Sequence, residues 1–385
     1  MTNVLHSLPY WLPATSTWLD TLIKNLPDRI GTSIVCEYTQ NLNRFPVSNL
    51  YSLRDLSLSR YIWDKGLSFV GIRNHMGFVE TTILAEQPDV IHSHWGNYGW
   101  KNAELCKRLA IPHIVTFYGK DVNYLPQSIK WKKRYEQLFS KIDLVICEGP
   151  HMGQCLEKLG CPPSRIQVVH LGIDLKRYPY QPRTWDHSQP LKFLIAGSFR
   201  EKKGIPYALA GIGSWIKRGG NAHITIIGDS DRDPRSQTEK AKIMATIEKF
   251  NMARQVTHLG YCTHQQLIDH AYLHHIFISP SVTAEDGDTE GGAPVTIIEM
   301  AATGMPIIST THCDIPNVVP ANRCALLVEE RDSTGIASAI ETLTETHQNW
   351  HCLTDNARSR IEKEFNVTTQ AAKVAAIYDE LAGRP

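Results

Sequence analysis

The chain has 385 residues, which is enough for two domains of ordinary size. Hydrophobic residues make up 42% of it and charged residues 21%, the balance of a globular protein rather than a disordered one. The formal net charge of +1 gives no bulk attraction to nucleic acid, so we expect no nucleic-acid partner.

The sequence indicates neither a membrane span nor a secretory leader. No stretch approaches the roughly 20 apolar residues that a membrane-spanning helix needs. The segment Met1–Leu12 lacks the basic start and the apolar centre of a signal peptide. The nine cysteines are scattered without a CxxC pair, as is typical of reduced thiols. These features predict a cytoplasmic protein.

Short apolar runs rich in Val and Ile alternate with helical patterns along the whole chain, as buried parallel strands and their crossover helices do. In the first half the runs are Asn3–Leu8, Thr32–Tyr38, Leu67–Ile72, Asp89–His94, His113–Tyr118, Leu144–Cys147 and Ile166–Leu171. In the second half they are Lys192–Gly197, His223–Gly228, Val256–Gly260, Ile276–Pro280, Pro306–Thr310 and Cys324–Val328. Repeated βα units predict an α/β fold with doubly wound sheets.

A polar, proline-containing stretch without periodicity, Pro179–Pro190, divides the chain into halves of similar size. We therefore expect two Rossmann-like domains that face each other across a cleft. The first spans 1–180, a linker spans 181–190, and the second spans 191–366. The last segment, 367–385, contains a helical pattern that could pack back on the first domain.

The segment DGDTEGGAPVTIIEMAATG, residues 286–304, carries the most chemical information. A glycine turn at Gly291 and Gly292 opens onto a helix, with Pro294 in its first turn. Backbone N–H groups and the helix dipole make such a turn a diphosphate site. Glu299, further along this helix, can accept the paired hydroxyls of a ribose. The alternative is a buried carboxylate that pairs with a local base.

The segment AGSFREKKG, residues 196–204, places a basic loop directly after a predicted strand. Arg200, Lys202 and Lys203 cluster where a diphosphate would lie. Fixed cations there stabilise the charge that develops on a leaving group. The alternative is a solvated basic loop.

Three further features are weaker. His94, Tyr118 and Asp121 follow predicted strands of the first half and so point to its ligand edge, as acceptor contacts or as ordinary buried groups. Asp286 and Asp288 form a DxD pair that suits Mg²⁺ or, more often, capping and solvation. The cation-aromatic run from Lys130 to Arg134 suits an anionic membrane or an exposed helix face.

Together the two segments resemble the signature of glycosyltransferase family 4, a strand followed by a KKG turn and, later, an EGxP turn with a second Glu on the helix behind it. Asp143–Tyr178 and Leu259–Ser281 are similar to other parts of that family. The resemblance implies a GT-B fold, a nucleotide-sugar donor in the second domain, a retaining transfer and no required metal or other cofactor. The EGGAP form and His94-Trp95 resemble members that build bacterial exopolysaccharide or lipopolysaccharide.

The resemblance implies roles for particular residues. Lys203, Arg200, Glu290 and Glu299 are the implied catalytic group, and the implied donor-binding residues are Gly197, Ser198, Gly291, Gly292, Ala293, Pro294 and Val295. The implied acceptor is a glycan or a lipid-linked glycan. The position of His94, Tyr118 and Asp121 after predicted strands places it near them, and the run Lys130–Arg134 suits a peripheral membrane contact.

The sequence departs from the family pattern in three places. Ser198 stands where the family has an arginine, which leaves open whether Arg200 replaces it. Glu290 and Glu299 are one residue further apart than the family pair, so either Glu290 or Gly291 fills the first acidic position. Tyr118 stands where the family has a histidine. Two alternatives therefore stay open, a nucleotide-sugar-binding partner subunit without activity and a nucleotide-sugar epimerase of the same architecture.

Overall fold

We analysed a computed structural model of the chain, which describes residues 1–13, 16–69 and 73–383. The chain forms two compact units. Unit 1 comprises Met1–Ile173 together with Val367–Pro385, and unit 2 comprises Asp174–Asn366. Each unit is built around one parallel sheet with its own hydrophobic core.

The sheet of unit 1 has seven strands in the order β3-β2-β1-β4-β5-β6-β7. These are β1 Thr2–Trp11, β2 Ile30–Thr39, β3 Leu50–Ser52, β4 Val90–His94, β5 His113–Thr116, β6 Leu144–Cys147 and β7 Ile166–Val168. The helices between them are α1 Thr17–Lys24, α2 Leu58–Phe69, α3 Gly77–Glu86, α4 Gly96–Leu109, α5 Ile129–Phe139 and α6 Pro150–Lys158. Strands β4, β5 and β6 are buried along their whole length, as parallel strands covered by helices must be.

The sheet of unit 2 has six strands in the order β10-β9-β8-β11-β12-β13. These are β8 Leu191–Ala196, β9 Ala222–Ile227, β10 Val256–Gly260, β11 Ile276–Ser279, β12 Ile307–Thr310 and β13 Leu326–Val328. The helices are α7 Ile205–Lys217, α8 Pro234–Lys249, α9 His264–Leu273, α10 Val295–Thr303, α11 Ile315–Val318, α12 Ser333–Glu345 and α13 Trp350–Glu364. The order reverses between β8 and β11, and in such sheets ligands bind beyond the carboxyl ends of the strands at that point.

The last helix, α14 Val367–Leu381, belongs to unit 1. Its Val374 and Tyr378 are fully buried and share a core cluster with Val4 of β1 and Ile146 of β6. Where the chain re-enters unit 1, the N–H of Val367 donates to the carbonyl of Ile173 at 3.0 Å.

The stretch predicted as a linker, 181–190, lies within unit 2. Arg183 is only 7% exposed, and its guanidinium donates to the carbonyls of His274, Ala271 and Thr303 at 3.1, 2.9 and 3.1 Å. The chain enters unit 2 at Asp174, before the predicted limit at 180. A run of prolines marks irregular backbone, but side-chain hydrogen bonds attach this stretch to unit 2.

One predicted strand is wrong. Leu67–Phe69 forms the end of α2, and residues 70–72 of the predicted strand lie outside the described residues. The strand β3 lies at the edge of the sheet and was not predicted, because only three residues pair with β2. Within the described residues, no helix combines the length and the apolar character that crossing a membrane requires.

Candidate active site

Lys203 lies on a short turn after the central strand of unit 2. Strand β8 ends at Ala196, and a 3-10 turn over Glu201–Lys203 leads into α7. Gly204 closes this turn with a left-handed φ of 62°, and a Cβ there would lie 1.9 Å from the carbonyl oxygen of Pro280. Only glycine fits this position, and it fixes where the Lys203 side chain begins.

Lys203 forms an ion pair with Glu290, whose side chain is only 8% exposed. Its Nζ lies 2.9 Å from Oε1 and 3.0 Å from Oε2 of the carboxylate. Burial alone would raise the pKa of Glu290, but the charges of Lys203 and Lys202 outweigh it and hold the pKa below its usual value. The two catalytic candidates that sequence reasoning placed on separate segments thus touch each other, with Glu290 ionised.

The turn that carries Glu290 is held in place by His312, which follows strand β12. The N–H of Glu290 donates to Nε2 of His312 at 3.1 Å, so that nitrogen must be unprotonated. The proton is therefore on Nδ1, which donates to Oε1 of Glu330 at 2.6 Å. His312 is 2% exposed, and this imidazole–carboxylate pair anchors the glycine turn to the end of the sheet.

The glycine turn presents open backbone N–H groups, but not the one at its first glycine. The N–H of Gly291 donates to the hydroxyl of Thr289 at 3.0 Å, and Gly291 has a left-handed φ of 78°. Among the described residues, the N–H groups of Gly292, Ala293 and Val295 make no hydrogen bond. Helix α10 begins at Val295 behind Pro294, so these donors lie at its positive end, where an anion is favoured.

Glu299 lies inside α10 and is 4% exposed. Its Oε1 accepts from the Tyr178 hydroxyl at 2.8 Å and from Nε2 of His264 at 2.7 Å. Nδ1 of His264 accepts from Arg177 at 3.0 Å, and because a guanidinium only donates, the proton of His264 is on Nε2. Both hydrogen bonds that Glu299 accepts use the same oxygen, so within the described residues Oε2 remains without a protein partner.

Arg200 is not part of the Lys203–Glu290 pair. Its guanidinium donates to Asp233 and Asp231 in the loop after β9, each at 2.6 Å. Ser198, which stands at the family's arginine position, accepts the Arg200 N–H through its carbonyl at 2.8 Å. Sequence reasoning put Arg200 beside the diphosphate, whereas in this structure two aspartates already neutralise its charge.

The two aspartates of the DxD pair are both engaged by cations. Asp286 lies 2.8 Å from Arg235, and Asp288 lies 3.3 Å from Lys202. Lys202 also donates to the carbonyl of Thr289 at 2.9 Å, which ties the basic loop to the glycine turn. Both carboxylates are therefore ion-paired, an arrangement that neither the metal interpretation nor the capping and solvation alternative anticipated.

In unit 1 two of the predicted acceptor residues, His94 and Tyr118, belong to a neutral network. The Tyr118 hydroxyl lies 2.5 Å from Nδ1 of His94, and Nε2 of His94 lies 3.0 Å from Nδ1 of His6. Burial lowers the pKa of His6 to about 3 and that of His94 well below its usual value. Burial also raises the pKa of Tyr118 well above its usual value. All three groups are therefore neutral near pH 7.

The rings of His6, His92 and His94 bring nitrogen atoms within 4.8 Å of one another, a spacing that could in principle hold a metal ion. His92, however, contacts the hydroxyls of Tyr378 and Thr116, each at 2.6 Å. Of the nitrogens in this cluster, only Nε2 of His6 has no hydrogen-bond partner among the described residues. The cluster is thus a hydrogen-bonded network, in which hydrogen bonds already engage the other ring nitrogens that a metal ion would need.

Asp121 supports the backbone around this network. Its carboxylate accepts from the N–H groups of Gly96, Tyr118 and Gly119 at 2.8, 3.0 and 3.0 Å. Burial raises its pKa, and these backbone bonds lower it without cancelling the effect. Asp121 is 1% exposed, and its hydrogen bonds hold the start of α4 against the turn after β5.

Two tryptophans flank Tyr118 at the carboxyl ends of the strands. The ring centroids of Trp18 and Trp95 lie 4.5 and 5.0 Å from that of Tyr118. Trp95 has a φ of 71°, a conformation that strains any residue other than glycine. Both indoles rest on a core cluster that contains Trp11 and Leu12, and they remain partly exposed. Such a strained aromatic residue at a strand end is a candidate for binding.

Sequence reasoning missed the residues that hold the predicted ones in place. Tyr178 lies in a segment already similar to the family, but it was assigned to the first domain rather than beside Glu299. His312 follows β12, so the rule that polar residues after parallel strands face the ligand edge could have found it. His6 carries no local signal, because its neighbours come from distant segments.

Two family models match the chain, and together they reach both units. The model described as "Glycosyl transferases group 1" matches residues 190–346. The model described as "Glycosyltransferase Family 4" matches residues 17–177. The first match contains the Lys203–Glu290 pair and Glu299, and the second contains His94, Tyr118 and Asp121.

Similar curated proteins and solved structures agree with these matches. The amylovoran biosynthesis glycosyltransferase AmsK of Erwinia amylovora is 28% identical over 296 residues, 76% of this chain and 70% of that protein. The putative colanic acid biosynthesis glycosyltransferase WcaL of Escherichia coli is 27% identical over 299 residues, 76% of this chain and 71% of that protein.

Among solved structures, Anabaena Alr3699/HepE in complex with UDP has a TM-score of 0.78 at 14% identity, covering 99% of this chain and 100% of that one. Sucrose-phosphate synthase from Thermosynechococcus elongatus has a TM-score of 0.76 at 16% identity, covering 100% of both chains. At this identity the likeness establishes the fold, which confirms the predicted two-domain α/β architecture. The chain therefore belongs to glycosyltransferase family 4 and is a glycosyltransferase with the GT-B type of fold.

Proposed function

We propose that this enzyme transfers a sugar from a nucleotide-sugar donor to a glycan or lipid-linked glycan, with retention of configuration, in cell-surface polysaccharide synthesis. The observation that carries the proposal is the Lys203–Glu290 pair beside the open N–H groups that precede α10. The names of AmsK and WcaL, which refer to amylovoran and colanic acid biosynthesis, support the polymer class. The UDP complex of the Anabaena protein supports a nucleotide donor.

The donor diphosphate would bind where unit 2 offers both a cation and unpaired amides. Lys203 supplies the cation, and Gly292, Ala293 and Val295 supply N–H donors at the start of α10. Gly197 faces the stem of Lys203, where a Cβ would already lie at 3.4 Å, so this strand end leaves the approach uncrowded. The free Oε2 of Glu299 would accept a ribose hydroxyl while Tyr178 and His264 hold Oε1.

The proposed chemistry is substitution at the anomeric carbon with attack on the face that the leaving group departs from. The bond from the anomeric carbon to the donor phosphate breaks, and Lys203 and the turn amides stabilise the charge that develops on the diphosphate. The departing phosphate oxygen takes the proton of the acceptor hydroxyl. Glu290 would contact hydroxyls of the transferred sugar. We propose that no metal takes part, since protein groups supply the positive charge.

The acceptor would bind to unit 1 at the carboxyl ends of β4 and β5. Tyr118, with Trp18 and Trp95 beside it, offers aromatic surface for the apolar face of a pyranose and a hydroxyl for its polar edge. His94 is fully buried and would orient the Tyr118 hydroxyl rather than touch the acceptor. Asp121 would keep the supporting turn rigid.

A peripheral contact with the cytoplasmic face of a membrane would suit a lipid-linked acceptor. Lys130, Lys132 and Lys133 on α5 are exposed, and none forms an ion pair among the described residues. Arg134 differs, because its guanidinium lies 4.0 Å from the ring centre of Trp100 and 4.6 Å from that of Trp131. Each exposed lysine near an anionic surface would contribute about 1 kcal/mol.

Thermal unfolding with UDP-, GDP- and ADP-sugars tests the proposal. The correct donor at about 100 times its Kd should stabilise the protein by about 2.7 kcal/mol, and Lys203→Ala should remove most of that shift. Radiolabelled donor with a panel of glycan acceptors then tests transfer. Donor binding without transfer would favour an inactive partner subunit, and epimerised sugar without any acceptor would favour an epimerase.

A further inference from the structure

Helix α2 exposes three large apolar side chains: Leu58 and Ile62 lie one turn apart, Trp63 follows Ile62 around the helix, and we call the three the stripe. Leu58, Ile62 and Trp63 are 73%, 60% and 67% exposed, and they lie on adjacent turns of the same helix. Exposed apolar residues that occur singly are ordinary, but three in one stripe on a single helix indicate a surface that contacts something apolar.

Polar side chains of α2 attach the helix to unit 1. Asp64 is 4% exposed and accepts from the N–H groups of Phe78 at 2.7 Å and Gly77 at 3.2 Å, capping α3. Lys65 pairs with Glu37 at 2.5 Å, and the Tyr61 hydroxyl lies 3.2 Å from that of Tyr38. A surface helix normally buries its large apolar side chains, whereas α2 leaves Leu58, Ile62 and Trp63 exposed.

The exposed stripe belongs to a layer of helices that also carries the free lysines of α5. Tyr61 of α2 packs against a core cluster that includes Phe78 of α3 and Leu105 of α4. Helix α4 continues this layer to α5 through Trp100, which contacts Trp131 and Arg134. The same layer therefore presents an apolar stripe on α2 and, on α5, three lysines beside Ile129, which is 69% exposed.

We propose that the Leu58, Ile62 and Trp63 stripe of α2 inserts into the surface of an anionic lipid bilayer. Arg60, exposed and between Leu58 and Ile62 in sequence, matches a negatively charged lipid surface, as the α5 lysines do. A tryptophan at such a position suits the boundary between headgroups and acyl chains. This inference rests on the proposed membrane contact of α5 and adds the apolar anchor that cations alone do not provide.

Co-sedimentation of the full chain with vesicles tests the anchor. The vesicles are phosphatidylcholine alone or phosphatidylcholine mixed with phosphatidylglycerol. The double variant Ile62→Ser/Trp63→Ser should bind the mixed vesicles about tenfold more weakly than the wild type, at low and high salt alike. Neutralising Lys130, Lys132 and Lys133 to Gln should weaken binding mainly at low salt. Leu273→Ser, an exposed leucine of unit 2 at 61%, is the matched control and should bind as the wild type does.

Donor-induced thermal stabilisation, measured in parallel, separates this inference from the proposed function. The α2 double variant should keep the full donor shift, which shows that it is folded. A wild type that ignores both vesicle types, or a double variant that binds as well as the wild type, would overturn the lipid anchor. So would a wild-type dimer that the double variant converts to a monomer, since a second copy would then cover the stripe.

Discussion

The two units place their functional candidates in opposite electrostatic surroundings. In unit 2 the candidates are charged and paired, with Lys203 against Glu290 and Arg200 against Asp231 and Asp233. In unit 1 they are neutral and mostly buried, with His6, His94 and Tyr118 joined by hydrogen bonds. Unit 2 suits a ligand that carries negative charge. Unit 1 suits a neutral, hydroxyl-rich ligand that is recognised by its shape and by hydrogen bonds.

This contrast explains why the second half of the sequence was easier to interpret. Charged groups that bind a diphosphate lie on turns at fixed distances from a strand and a helix, so their spacing can be recognised in the sequence. Neutral groups that hold a hydroxyl-rich ligand can come from any neighbouring strand. The same contrast yields four predictions, which differ in whether acid, charge removal or loss of aromatic surface is applied.

Acid should destabilise unit 1 much more than unit 2. Burial lowers the pKa of His6 and His113 to about 3, and it also lowers those of His92 and His94, whereas unit 2 has His274 and His275 at about 4. Below about pH 6.5 these histidines bind protons in the unfolded chain but stay neutral in the native protein, because their native pKa is lower. Each therefore costs up to about 1.4 kcal/mol of stability per pH unit. Hydrogen exchange at pH 7 and pH 5, corrected for intrinsic rates, should show β1 and β4 losing more protection than β8 and β9.

The raised pKa of Asp121 acts in the opposite direction, since its native carboxyl takes up a proton more readily than the unfolded one. It is one group against several histidines, so the net loss should persist. The variant His113→Gln should reduce the slope in unit 1 without changing that in unit 2. Equal loss of protection in the two units would contradict the contrast.

Removing the cation of the donor site should reduce turnover strongly. Lys203→Ala should lower kcat about a hundredfold to a thousandfold, because a leaving diphosphate loses its positive partner. It also leaves the carboxylate of Glu290, 8% exposed, without that partner, which will lower stability. Initial rates with saturating donor and acceptor measure the effect, and Lys192→Ala, an exposed lysine on β8, is the control.

A second variant separates stability from catalysis at this pair. Lys203→Ala/Glu290→Gln replaces the unpaired carboxylate by a neutral amide and should recover much of the lost thermal stability. If the lysine acts on the diphosphate, turnover stays low in the double variant. Recovery of turnover along with stability would show that Lys203 is structural.

Glu299→Gln should weaken donor binding without unfolding the site. The amide loses the charge that strengthens its hydrogen bonds to ribose hydroxyls, so Kd for the donor should rise about tenfold to a hundredfold. Calorimetric titration of the donor gives Kd. Glu239→Gln is the matched control, since Glu239 is also a buried helix glutamate of unit 2, at 3% exposed. An unchanged Kd would leave Glu299 as a partner of His264 and Tyr178 only.

The smallest effect should come from Trp95, where backbone strain and aromatic surface can be separated. Trp95→Gly and Trp95→Ala both remove the ring, and both should raise KM for the acceptor about fivefold with donor Kd unchanged. Glycine also accepts the φ of 71°, so Trp95→Gly should be about 1 kcal/mol more stable than Trp95→Ala. Wild-type KM values in both variants would remove the indole from acceptor binding.

The fold was largely predictable because buried parallel strands have continuous apolar sequences. Strands such as β6 and β10 were predicted with their observed limits. The run Leu67–Ile72 was misleading, because Leu67–Phe69 is an apolar run that forms the last turn of a helix, and residues 70–72 lie outside the described residues. The predicted linker falls within unit 2 because Arg183 attaches its irregular backbone there. Hydrogen bonds from a side chain to carbonyl groups cannot be recognised from the spacing of apolar residues.

The candidate site was predictable only where its residues lie in motifs that directly follow predicted strands. The proximity of Lys203, Glu290 and the start of α10 followed from two motifs that end neighbouring strands. The partners of Glu299 did not, because His264 and Tyr178 reach it from separate segments. The diversion of Arg200 depends on Asp231 and Asp233, whose loop gave no signal of its own.

A crystal structure of the protein soaked with UDP, or with whichever nucleotide gives the largest thermal shift, would test the account most directly. We expect diphosphate oxygens about 3 Å from Nζ of Lys203 and from the N–H of Gly292 or Ala293, with a ribose hydroxyl on Glu299. A diphosphate bound instead beside Asp286 and Asp288 with a metal ion, or anywhere in unit 1, would contradict it.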